Sequence, residues 1–166
     1  MKKRVLLTLL MLITLVALLV IPADAASNSA EVQIGGIEDY DAANEVLRLM
    51  NTARAEEGLP PLKMDPALSQ WAMQRAAECS VYYSHTRPDG TSYKTAISEA
   101  GVVSNYTGEN VACGHSSAQQ VVKAWLNSPG HRDNILNSNF TKIGVGLEKN
   151  VGNGYKGYSW SQLFVK

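Results

Sequence analysis

The spacing of hydrophobic residues changes at about Phe140, from the period of about 3.6 residues typical of a helix to the period of 2 typical of a strand. Beyond this point two runs, 143–147 and 158–165, alternate apolar residues with small or polar ones. The Gly- and Asn-rich segment 150–154 between them predicts a hairpin. Helices followed by strands, without β–α–β repetition, predict an α+β fold in which helices pack on a small antiparallel sheet.

Start and stop signals divide the region before Phe140 into helices. Gly58 and the prolines after it end the first helix, and Asp65-Pro66 and Ser128-Pro129 are each an N-cap followed by proline at the first helical position. The polar segment 85–106, with Pro88-Asp89-Gly90 as a turn, is predicted to be a loop. The predicted helices are 41–57, 66–82, 117–127 and 129–136.

The N-terminus has the features of a targeting signal. A basic start at 2–4 precedes an apolar run at 5–21, and Ala23-Asp24-Ala25 supplies the small residues that signal peptidase requires. We expect residues 1–25 to be a cleaved signal peptide, 26–38 a linker, and 39–166 the folded domain of a secreted protein. An uncleaved anchor is the alternative, because 17 apolar residues are at the lower limit for a membrane span of roughly 17–25.

The balance of charge argues against a nucleic-acid partner. The chain of 166 residues has 15 basic and 15 acidic side chains. Signal cleavage removes three basic groups and one acidic group, which leaves a formal charge of −2. A nucleic-acid-binding surface would need a basic excess on one face.

The length of the chain is that of one domain.

Three segments place titratable or amide side chains among turn-forming residues: 84–90, 108–112 and 125–136. Each also has a plain structural interpretation. His85 could be a cation at a helix C-terminus, Glu109 an anion near a helix N-terminus, and His131 a surface residue.

The three segments and their order resemble the CAP superfamily, which contains cysteine-rich secretory proteins, insect antigen 5 and pathogenesis-related class 1 proteins. The resemblance covers about residues 41–166 and is closest to compact, secreted prokaryotic members. The motifs that carry it are Leu49-Met50-Asn51-Thr52-Ala53-Arg54, Pro61-Leu62 with Leu68, Trp71 and Ala72, Ser84-His85-Thr86-Arg87-Pro88-Asp89-Gly90, Gly108-Glu109-Asn110, Trp125, Ser128-Pro129-Gly130-His131-Arg132 and Ile143-Gly144-Val145-Gly146.

This resemblance implies an α-β-α sandwich and a cleft that in many members contains two His and two Glu. His85 matches the first His, Glu109 the Glu of the Gly-Glu-Asn motif, and His131 the second His. The second Glu of the family lies three residues after Trp125, where this chain has Ser128. The resemblance therefore implies a cleft lined by His85, Glu109, Ser128 and His131, with an incomplete tetrad.

Three kinds of chemistry stay open for these groups. His85, Glu109 and His131 could hold a divalent metal such as zinc through three protein ligands, with a fourth position left for water. Alternatively, they form a hydrogen-bonded cluster that binds a polar head group. The third interpretation is a polar network that only fixes loop geometry. His115 matches no position of the tetrad and is expected at the surface.

Two cysteines, Cys79 and Cys113, predict a disulfide, because their number is even and the chain enters an oxidising compartment. The alternative is a catalytic thiolate with His85 or His131 as its base.

We expect an extracellular binding module whose partner is a lipid, a metal or a cell-envelope component, with no membrane span after cleavage and without catalysis. The alternative is an extracellular hydrolase, metal-assisted or Cys–His based, acting on cell wall or protein.

Overall fold

The structure, a computed structural model, describes residues 37–150 and 156–166, with side chains from Tyr40 onward. All of them belong to one compact unit, 33–166. The predicted signal peptide, residues 26–36 of the predicted linker and most of the predicted hairpin turn lie outside the described residues. Within the described part of the chain, no helix is both long and apolar enough to cross a membrane.

The four predicted helices and the two predicted strands are confirmed within two residues, except at the start of the first helix, which begins four residues earlier than expected. In the described residues the helices are α1 (Ile37–Glu56), α2 (Pro66–Val81), α3 (Lys94–Glu99), α4 (Ala118–Leu126) and α5 (Pro129–Ile135), and the strands are β1 (Lys63–Met64), β2 (Thr107–His115), β3 (Lys142–Lys149) and β4 (Tyr158–Val165).

Two elements differ from the sequence prediction. The predicted loop 85–106 contains α3, a helix of six residues whose Ala96 and Ile97 are buried against α2 and β4. The Gly-Glu-Asn segment lies inside β2, a strand of nine residues, rather than in a turn. In both segments the burial that stabilises the element comes from residues distant in sequence, so local spacing does not reveal it.

The four strands form one sheet in the order β1-β3-β4-β2. The β3–β4 pair is antiparallel, as predicted, and the β4–β2 pair, which was not predicted, is antiparallel as well. Only β1 departs from this pattern, since its two residues pair with β3 in parallel. Strand β2 is therefore an edge strand, and the side chains on it alternate between the two faces of the sheet.

The two faces of the sheet pack against different helices. Apolar side chains on one face form a core with α1 and α4. On the other face, α2 lies so close to the sheet that a Cβ atom at Gly144 or Gly146 would overlap the backbone of Leu68 or Ala72. These glycines are thus required by the close approach of a helix. The core residues on the first face include Val46, Met50, Trp125, Ile143, Val145, Leu147, Trp160 and Phe164.

Arg54 fixes the end of α5. Its side chain is completely buried. The guanidinium donates to the carbonyl oxygens of Ile135 and Asn137 at 2.8 and 2.9 Å, and to that of Pro60 at 2.9 Å. The carbonyls of Ile135 and Asn137 have no partner within α5, so one buried cation satisfies a helix C-terminus and an adjacent loop.

The close contact between α2 and the sheet makes a prediction for stability. Gly146→Ala should lower the free energy of unfolding by about 1–3 kcal/mol, because the added methyl group forces α2 away from β3. Gly130→Ala is the matched control, since a Cβ added there would meet no packed neighbour within 4 Å, and alanine favours a helix by up to about 1 kcal/mol. Urea unfolding measures the free energy of unfolding of both variants. Equal changes in Gly146→Ala and Gly130→Ala would contradict the close packing of α2 on β3.

Candidate functional site

Strand β2 separates the two polar residues of its Gly-Glu-Asn segment. Glu109 is opposite Leu163 and Asn110 is opposite Gln162 in the register with β4. Adjacent strand residues point to opposite faces. Glu109 therefore faces α2, and Asn110 faces α5.

The carboxylate of Glu109 is buried and has a cationic or imidazole partner at each oxygen. Arg75 of α2 donates from Nε to Oε1 at 2.8 Å, and Nδ1 of His85 lies 2.7 Å from Oε2. The side chains of Arg75 and Glu109 are both inaccessible to solvent. A buried carboxylate is tolerated only when it is paired in this way.

His85 joins this buried pair to the solvent. Its side chain is 56% exposed although Nδ1 contacts Glu109, so the ring is held at one edge and open at the other. The hydrogen bond to Glu109 raises the pKa of His85, against a smaller opposing effect of burial. Tyr93 lies against the ring edge to face, with centroids 6.4 Å apart.

Helix α5 is docked on β2 through two asparagines. Asn110 donates from Nδ2 to the carbonyl oxygen of His131 at 3.1 Å. Asn134 donates to Oδ1 of Asn110 at 2.9 Å and to the carbonyl oxygen of Glu109 at 3.1 Å. A Cβ at Gly108 would lie 2.9 Å from the Asn134 side chain, so the glycine permits this approach.

The same helix carries the other predicted residues of the cleft. His131 is half-buried, and its pKa is lowered first by burial and then by the charge on His85. The loop of His85 and the helix of His131 both contact β2, His85 through Glu109 and His131 through Asn110, which point to opposite faces of the strand. Ser128 is the half-buried N-cap residue of α5, and its side chain makes no capping hydrogen bond. His115 lies at the far end of β2 and is half-buried rather than fully exposed.

A comparison with known protein families identifies the family of this chain. The profile of the cysteine-rich secretory protein family (CAP) matches residues 47–164. The chain belongs to the CAP family. The match includes α2, β2 and α5, and therefore every residue of the candidate cleft.

Bacterial proteins are among the relatives of this CAP domain. An uncharacterized protein of Bacillus subtilis, YkwD, is 38% identical over 123 residues, which cover 73% of this chain and 46% of the relative. An uncharacterized membrane protein of the same species, YlbC, is 33% identical over 124 residues, covering 74% of this chain and 34% of the relative. The chain thus spans less than half the length of these curated relatives. An extracellular protein of Bacillus anthracis with an SCP domain shares the fold with a TM-score of 0.69 and 28% identity, covering 77% of this chain and 41% of that one.

A three-ligand metal site does not fit the geometry of this CAP domain. Both oxygens of Glu109 already have partners, Arg75 and His85, so the carboxylate acts as a hydrogen-bond partner of the imidazole. Across 37–150 and 156–166, no group of three His, Cys, Asp or Glu side chains is arranged to hold a metal ion. Within the described residues, Nε2 of His85 and the ring nitrogens of His131 have no hydrogen-bond partner in the protein.

The predicted disulfide is not formed in the structure, where Cys79 and Cys113 are both thiols. The Cys113 sulfur lies 3.0 Å from Oγ of Ser159 and 3.7 Å from the carbonyl oxygen of Cys79. Burial raises the pKa of Cys79 to about 11, and burial also raises the pKa of Cys113. Neither sulfur has the lowered pKa that a catalytic thiolate needs.

Sequence reasoning missed the charged residues that surround Glu109. Arg75 lies on the buried stripe of α2 together with Leu68, Ala72 and Cys79. A charged residue at helical spacing within an apolar stripe indicates a buried ion pair, because an unpaired charge there would be too costly. That signal was present in the sequence, but the identity of the partner was not.

The two histidines should titrate on opposite sides of the ordinary imidazole pKa of 6.5. NMR titration should give His85 a pKa above this value and His131 one below it. Glu109→Gln should lower the pKa of His85, because the amide cannot stabilise an imidazolium as a carboxylate does. Glu148→Gln, at an exposed position of β3, is the control.

The raised pKa has a consequence for stability. His85 should stabilise the fold fully below about pH 6.5, and this contribution should disappear as the pH rises through the folded-state pKa.

In the NMR titration, an unchanged midpoint for His85 in folded Glu109→Gln protein would contradict the assignment of Glu109 as its partner.

Proposed function

We propose that this protein is a secreted CAP module that binds a ligand of the cell envelope through a cleft lined by His85, Glu109, Ser128 and His131, without cleaving it. The observation that carries the proposal is the contact between exposed His85 and buried Glu109 at 2.7 Å. It supports recognition, because a ring fixed through Nδ1 keeps its other nitrogen in a constant direction toward the solvent.

The cleft offers several polar groups to one ligand. His85 and His131 each present an imidazole, which donates or accepts hydrogen bonds according to its protonation. Ser128 adds a hydroxyl group at the start of the helix that carries His131. A few convergent polar groups of this kind determine orientation and specificity in binding sites. A hydroxyl-rich or amide-rich polymer of the cell envelope has matching donors and acceptors.

The hydrolase alternative has less support from the same residues. A Cys–His mechanism needs a thiolate, whereas burial raises the pKa of both Cys79 and Cys113. A metal-assisted mechanism needs a set of donors, and Glu109 is engaged by Arg75 and His85. We therefore favour binding, and turnover is one outcome that the binding experiment can detect.

Secretion and a disulfide complete the proposal. The signal-like residues 1–25 and the extracellular relative from Bacillus anthracis support export. After export, Cys79 and Cys113 are proposed to be oxidised to a disulfide, since the sulfur of one lies 3.7 Å from the backbone of the other. An uncleaved anchor is the rival outcome, and N-terminal sequencing of the exported protein distinguishes the two.

Binding is tested with protein purified from the medium of cells that express the full chain. In co-sedimentation with purified Bacillus subtilis peptidoglycan, His85→Ala and His131→Ala should each weaken binding by about tenfold, because each removes a hydrogen bond to the ligand. His115→Ala, which lies outside the cleft, should bind like the wild type.

Three outcomes would contradict the binding proposal. They are equal binding by all variants, binding only to phosphatidylglycerol vesicles in a parallel assay, and release of soluble fragments that His131→Ala or a chelator abolishes. The last of these would establish the hydrolase.

The disulfide has its own test. Intact mass of the exported protein should be lower than that of the dithiol by two hydrogen atoms. Reduction should then lower the free energy of unfolding by about 3–4 kcal/mol, the value expected for a loop of roughly 35 residues. Cys113→Ser should be insensitive to reductant, and two reactive thiols in the native exported protein would overturn the pairing.

A further inference from the structure

The guanidinium of Arg75 contacts other groups besides Glu109, its partner in the buried ion pair. Arg75 lies on α2 and is completely buried. Nε donates to Glu109 at 2.8 Å, Nη1 donates to Glu78, and Nη2 donates to the carbonyl oxygen of Ser84 at 2.7 Å. Nη2 also lies 3.8 Å from the sulfur of Cys79.

Two of these contacts act on His85 from different sides. Glu109 is the hydrogen-bond partner of the His85 ring. Ser84 is the residue before His85, so its carbonyl oxygen belongs to the peptide group that carries the histidine. One guanidinium therefore holds both the backbone at His85 and the carboxylate that orients its ring.

We propose that Arg75 is the positioning residue of the cleft, which fixes the direction of the His85 ring by holding Glu109 and the Ser84 carbonyl group at once. This inference rests on the proposed function only for the identity of the ligand. The role of Arg75 in holding His85 does not depend on it. Without Arg75, a ring that is 56% exposed would keep only its contact with Tyr93 and its hydrogen bond to a Glu109 that is no longer held by Arg75.

A second arginine keeps the same loop in place. Arg87, two residues after His85, donates to both carboxylate oxygens of Glu78 at 2.7 to 3.2 Å. It also donates to Glu99 of α3 at 2.8 Å. Glu78 thus lies between Arg75 and Arg87, and the two arginines connect the loop of His85 to α2 and α3.

Lysine cannot replace this arrangement. The guanidinium of Arg75 reaches Glu109, Glu78 and Ser84 in three fixed directions. An ammonium group is a point charge on a flexible stem and does not reproduce a planar fork. Arg75→Lys keeps the charge and loses the geometry, which separates positioning from simple charge balance.

The test compares two buried arginines in the full chain purified after export. In wild-type protein, ring ¹⁵N NMR at neutral pH should show the neutral fraction of His85 protonated at Nδ1. In Arg75→Lys, the His85 signals should move toward those of a freely rotating imidazole, and binding to purified peptidoglycan should fall by about tenfold. Arg54→Lys disturbs a buried arginine that is bound only to carbonyl groups, and it should leave the His85 ring signals unchanged.

The outcomes separate the two proposals. Unaltered His85 signals in folded Arg75→Lys protein would overturn the positioning role, whatever happens to binding. If the His85 signals shift in Arg75→Lys but the wild-type protein does not bind peptidoglycan, the positioning role is supported and the proposed ligand is refuted. If Arg75→Lys does not fold, Glu78→Gln removes one arm of the network and should give a smaller shift in the same direction, whereas no shift would again overturn the proposal.

Discussion

The ion pair between Arg75 and Glu109 is the interaction on which the rest of the proposed cleft depends. Both side chains are removed from solvent, so the loss of either one leaves the other as a buried charge with one partner fewer. Arg75 satisfies its remaining donors with Glu78 and the Ser84 carbonyl group. The second oxygen of Glu109 is the hydrogen-bond partner of His85.

The packing of α2 makes this arrangement attainable. A helix at an ordinary distance from the sheet would leave room for side chains on β3, but Gly144 and Gly146 have none. The helix backbone therefore approaches the strands directly, and Arg75 can reach Glu109 on the edge strand β2. On the opposite face, Asn110 and Asn134 fix α5. Adjacent residues of β2 thus contact the loop of His85 on one face of the sheet and α5, which carries His131, on the other.

Periodicity predicted the elements whose stability is local, and the resemblance to CAP proteins supplied the four residues of the proposed cleft, whose common role stays a prediction. Periodicity did not predict β2, because Gly108, Glu109 and Asn110 have poor strand propensity and their polar groups are satisfied by distant partners. The same limit applies to α3, a helix of six residues stabilised by burial. Arg75 carried a signal, a charge on an apolar stripe, but its partner is 34 residues away.

A double-mutant cycle on Arg75 and Glu109 tests this account most directly. Arg75→Met and Glu109→Gln should each lower the free energy of unfolding by about 3–5 kcal/mol, because each removes one ionic partner of a buried charged group. The double variant should lose less than the sum, with a coupling energy of about 1–3 kcal/mol. Effects that add within about 0.5 kcal/mol would contradict the claim that these two buried charges hold each other in place.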